Sequence, residues 1–170
     1  MTPTVLTIEP GADVDWADLE WALYDRFGVN AVALHKSGDR KTAGDIRWAN
    51  RLCELIQGRR NSSARICRSS MIRLMYEADS KGRAVAEECF AGMYKMMMPI
   101  LCGDRVDGFV SACGRPFSTI DRIYTTYIHE TVDVEEETVK NLLPFLVPID
   151  YRGIKRLKQF IADYPHRTLH

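Results

Sequence analysis

The 170-residue chain carries no net charge, with 23 Lys plus Arg set against 23 Asp plus Glu. A balanced composition exerts no bulk pull on nucleic acid or an anionic membrane, so neither partner is expected. The sequence also lacks any run of about 18 apolar residues, the length a membrane-spanning helix requires. Residues 1–10 have neither the basic start nor the apolar centre of a secretory signal. Those two absences predict a cytoplasmic protein. Only 4 histidines occur, and none is assignable as the base that a catalytic nucleophile needs. There is no C-x-x-C pair, the strong signature of zinc or iron–sulfur ligation. Internal repeats and low-complexity linkers are missing as well.

What the chain does have is enough length to bury about 68–70% of its unfolded surface without disulfides. Its 5 cysteines are an odd number, which favours free thiols or metal ligands over a disulfide framework. Along the chain, Asp13 or Asp15 precedes Trp16, Leu19, Leu23 and Phe27 at helical spacing, with Gly28 as a stop. A buried strand is predicted at residues 31–35, ending at His35 and followed by a turn and a brief return pairing at residues 40–42. A helix is expected from Asp45, with Ile46, Ala49, Cys53 and Ile56 on one face and Gly58 as its end. A further helix places Cys67, Met71, Leu74, Met75 and Ala78 inward.

The period then changes from 3.6 to 2. Tyr94, Met96, Met98, Ile100 and Cys102 fall on one face of a strand, and Met97 and Leu101 on the other. Gly103-Asp104 is a two-residue hairpin turn, and residues 106–113 form its partner strand. Gly108 and Gly114 mark a bulge or a close backbone approach. Residues 123–132 fit either a last strand or the start of a helix. From Asp133 an amphipathic helix carries Val134, Val139, Leu142, Leu143 and Leu146, and after Pro148 a final helix from about Asp150 turns Ile154, Leu157 and Ile161 inward. The layout is α+β: a PAS-like antiparallel sheet with flanking helices and C-terminal amphipathic helices. It reads as one domain over residues 1–170, with a core of about 15–147 and a helical extension of about 133–163.

In this order, the chain resembles the PocR-type sensory domain, a PAS-like module of bacterial transcription regulators and histidine kinases. The residues that carry the resemblance are Cys53 with Ile56, Cys67 with Ser69 and Ala78, Cys89-Phe90-Ala91-Gly92-Met93, Pro99-Ile100, Val106-Asp107-Gly108 and Gly114. It spans residues 19–145, roughly. It implies a cavity between sheet and helices that holds a small effector or a prosthetic group, and a conformational change passed to an output module. No helix-turn-helix pair is recognisable, so the output partner stays open.

Two chemistries compete at the cysteines. Thiolates of Cys53, Cys67 and Cys89 converging on a metal or an iron–sulfur cluster would suit soft sulfur, but free cysteine is also among the residues most often simply buried. The family resemblance adds weight to ligation and leaves both readings open. A fourth ligand would come from Cys102, Cys113, His35 or His129. For a small effector, His35, Tyr76, Tyr94, Met96 and Met98 are the candidate lining, since thioethers adapt to irregular guests and a tyrosine offers a hydroxyl. No catalytic residue is assigned. The alternative is a small cysteine-dependent enzyme using Cys89 or Cys113. A homodimer formed through the first or last helix completes the expected picture.

Overall fold

A computed structural model describes residues 4–117 and 123–166. Its centre is a five-stranded mixed sheet: β1 (Leu6–Ile8), β2 (Asn30–His35), β3 (Val85–Glu88), β4 (Met93–Cys102) and β5 (Arg105–Pro116). The strand order is β1-β4-β5-β2, and β3 pairs with β4 further along the edge that β1 occupies. The predicted Gly103-Asp104 turn closes β4 onto β5, with Leu101 opposite Val106 and Cys102 opposite Arg105. The antiparallel expectation holds for all pairs except β1 with β4, which run parallel.

Helices cover both faces. On one side lie α1 (Trp16–Phe27) and α7 (Tyr151–Asp163). Asp15 caps α1 by accepting from the Asp18 N–H, and Gly28 ends it in the left-handed region. Asp150 caps α7 through the Gly153 N–H. Leu19 and Leu23 of α1, Ile154, Leu157 and Ile161 of α7, and Met96, Met98 and Ile100 of β4 form one solid core. On the other side lie α2 (Arg51–Gln57), a one-turn α3 (Arg60–Ser62), a π-helical segment at Ser63–Arg68 and α4 (Ser69–Lys81). Below them sit α5 (Thr125–Val132) and α6 (Glu136–Lys140).

Two elements differ from expectation for local reasons. The helix expected from Asp45 begins at Arg51, because Asn50 caps it through the Cys53 N–H; Ile46 and Trp48 lie in the preceding loop. The helix expected from Asp133 is split. Asp133 itself adopts φ 62° and ends α5, so the segment that was open between strand and helix is the helix, and α6 starts afresh at Glu136. Among the described residues no helix is long and apolar enough to cross a membrane.

Candidate functional site

The sheet face that α2, the π segment and α4 cover is not packed solid. Between these elements and the sheet lies a cavity of about 330 Å³, within the range of small-ligand pockets, roughly 300–1,000 Å³. Cys53 reaches it from α2, Cys67 from the π segment, Cys89 from the loop between β3 and β4, and Cys113 from β5. Four of the chain's five cysteines therefore face one space. All are free thiols.

Three of the four sulfurs, those of Cys89, Cys113 and Cys53, are placed by local devices. The loop Cys89–Gly92 is closed by the Cys89 N–H donating to Met93 O at 2.8 Å and the Gly92 N–H donating to Cys89 O at 2.8 Å, which fixes Cys89 at the mouth of the hairpin. On β5, Lys95 of β4 stands opposite Cys113 while Tyr94 stands opposite Arg115, leaving Gly114 as an extra, bulged residue. Gly114 has φ +101°, and a Cβ there would lie 2.6 Å from the Asn30 side chain. This close approach is what the sequence's Gly114 signal anticipated.

Asn30 uses that closeness. It is 3% exposed, accepts from the Ala49 N–H at 2.5 Å and directs its amide at Cys113 Sγ, 3.8 Å away. Asn50 completes the clamp: its Oδ1 accepts from the Cys53 N–H at 2.7 Å, and its amide donates to Gly114 O at 2.6 Å and lies 3.5 Å from Cys53 Sγ. Two asparagines thus tie the start of α2 to the bulge in β5, holding Cys53 and Cys113 against a common space. Neither asparagine stood out in the sequence. Their signal is weak: an asparagine opening a buried strand, and another immediately before an apolar helical face.

The electrostatics favour neutral thiols at Cys53, Cys67 and Cys89. Burial pushes the Cys53 thiol well above its ordinary value, helped by Cys113, Cys89 and Cys67 nearby. Burial likewise raises Cys67 to about 12, with Cys113 adding to the shift and Lys95 opposing it. Cys89 is raised by burial, partly offset by backbone hydrogen bonds at Ala91 and Met93. A nucleophilic cysteine needs the opposite shift, so the enzyme alternative at Cys89 finds no activated thiolate. Among the described residues, no group of three or more His, Cys, Asp or Glu is drawn close enough to hold a single metal ion. The sulfurs ring the walls and do not meet at a point.

The remaining expected site residues lie elsewhere. His35 is exposed at the end of β2, and Tyr76 is 80% exposed on α4. Tyr94, Met96 and Met98 occupy the β4 face that packs on α1 and α7, as their shared parity requires. The cavity lies against the opposite parity, lined by Met93 and Lys95 of β4 and Ser111 and Cys113 of β5. None of those five expected ligand contacts lines it. The methionines that do are Met71 and Met93. Of the fourth-ligand candidates, Cys113 faces the cavity, whereas Cys102, His35 and His129 do not.

A family model described as the sensory domain found in PocR matches residues 16–164. No curated protein and no solved structure matches the chain.

Proposed function

The chain belongs to the family of sensory domains found in PocR, and from that premise we propose that the thiol-lined cavity is where it senses. The guest supported best is a cofactor held by thiolates, with Cys53, Cys67, Cys89 and Cys113 as the ligand set. The observation that carries this reading is that sulfurs from four separate elements line one buried space. Soft sulfur suits zinc, copper(I) or iron. Four sulfurs on one cavity also match the ligand number of an iron–sulfur cluster, which would supply redox or oxygen sensitivity when bound. The chain's own part is to hold four sulfurs around one cavity and to give up their protons on loading.

Signal output follows from where the sulfurs sit. Cys53 and Cys67 lie on the α2 and π-helical wall, Cys89 and Cys113 on the sheet side. A guest gripping both sides favours arrangements in which that wall is closed on the sheet, and the helices report the shift in population. π-helical turns are rare and concentrate at functional sites; here one carries Cys67.

A second reading has its own support. The cavity walls include Val32, Leu34, Ile56, Ile66 and Trp48, which suits a small apolar effector bound without metal. One experiment separates the two. Protein purified without oxygen is expected to show broad visible absorption and to contain iron, and Cys53→Ser or Cys113→Ser is expected to abolish both. Colourless, metal-free protein that still binds a small molecule would replace the cofactor reading with the effector reading.

A further inference from the structure

One charge in this cavity has no counterpart. Lys95 lines it from the middle of the sheet and is only 5% exposed. Its ammonium donates to Cys67 O at 2.9 Å and lies 3.3 Å from Ser70 Oγ. An ammonium has three N–H donors, so one is unspent. No ion pair among the described residues includes Lys95, and no Asp or Glu lines the cavity. A further basic side chain lines the cavity with an unspent donor. Arg40 pairs with Glu20, yet its Nε is buried with no hydrogen-bond partner. A buried cation without an opposite charge is strongly disfavoured. Its persistence in an acid-free cavity points to negative charge that is present only when the cavity is loaded, since the Cys53, Cys67 and Cys89 thiols alone are held neutral.

We propose that the guest of this cavity presents negative charge to Lys95, beside Cys67, with the Arg40 Nε as a further donor. The inference rests on the reading of the cavity as a receptor site and adds the chemical class of what it receives. Negative charge has two sources here: a thiolate-held metal centre, whose sulfurs outweigh the metal charge, or the carboxylate of a small aliphatic acid. The apolar walls accommodate the tail of such an acid, and they reject an ion that needs full hydration.

Lys95→Met tests this, because methionine keeps most of the side chain's length and removes its charge. Two sets of probes are applied to the full chain, wild type and variant. The first is zinc titrated against a chelator, together with oxygen-free reconstitution using ferrous iron and sulfide. The second is a series of short aliphatic carboxylates against primary alcohols of equal length, read by thermal shift. The wild type is expected to bind a metal probe, or to prefer carboxylate over alcohol, with Lys95→Met weakening that binding at least tenfold. Loss in the metal arm assigns the charge to a thiolate centre, and loss in the carboxylate arm assigns it to an effector. Guest-free Lys95→Met is expected to melt at the same temperature as wild type or higher, since an unpaired buried charge is gone.

The proposal is overturned if the variant binds every probe as tightly as wild type, which leaves the receptor reading intact. It is overturned equally if guest-free Lys95→Met melts lower, which would make Lys95 a strut for the π segment and no more. A wild type that takes up none of the probes removes the receptor reading and this inference together.

Discussion

Strand β4 has one solid face and one partly hollow face, built from alternate residues of the same ten. Met96, Met98 and Ile100 meet α1 and α7 in one continuous apolar core. Met93 and Lys95, one residue out of step, meet a cavity ringed by sulfur. The difference shows how one sheet divides its labour. The first face meets one continuous apolar core, whereas the second divides its apolar burial between two smaller clusters and leaves a cavity between them for thiols, amides and an unpaired ammonium.

Emptying the solid face is the strongest way to break that contrast. Leu19, fully buried on α1, becomes a cavity in Leu19→Ala, and unfolding in denaturant is expected to cost about 2–5 kcal/mol. Guest binding measured on the protein that remains folded is expected to be unchanged. A matching loss of guest affinity would show that the two faces are not independent.

Gly114→Ala sharpens the comparison from the other side. The new Cβ meets Asn30 at 2.6 Å with φ at +101°, and a side chain held in that backbone region is strained by about 1–3 kcal/mol. Because Asn30 and Asn50 position Cys113 and Cys53, metal or effector uptake is expected to fall along with stability. Unaltered uptake would mean that the clamp does not set the site.

The smallest effect near neutral pH comes from the thiols. Cys53, Cys67 and Cys89 are raised by burial, so the fold binds their protons more tightly than the unfolded chain does. The stability this represents is fully present below the ordinary thiol value of 9.0 and is lost as pH climbs through the Cys67 value of about 12. The guest-free protein is therefore expected to hold a constant midpoint of unfolding from neutral pH to about 9 and to decline above it. Cys53→Ala with Cys67→Ala is expected to flatten that decline. Metal uptake, which must expel those protons, is expected to strengthen as pH rises over the same span.

Much of this architecture was legible in the sequence wherever a periodic pattern coincided with a cap or turn. Asp15 and Gly28 bracket α1, Gly103-Asp104 closes the hairpin, and the Gly114 bulge lies where glycine suggested. The short strands were not legible. β1 has three residues, and β3 is Val-Ala-Glu-Glu; both exist because the edge of β4 offers partners, information that neither segment contains. At the site, helical spacing turned Cys53 and Cys67 inward correctly, and both line the cavity together with Cys89. The methionine and tyrosine candidates were placed by richness in suitable side chains, and parity sorts them differently. In β4 the informative residue was the lysine among methionines, since an ammonium sharing a face with Met93 and Met97 must be buried with them.

Asn30 and Cys113 meet across a separation of 83 residues. During synthesis, the half of the receptacle made by β2 and α2 leaves the ribosome long before β5 arrives to close it. A nascent chain halted short of Cys113 owns three of the four sulfurs and no enclosure for them. The four-sulfur wall of the cavity therefore exists only in chains whose sheet is complete.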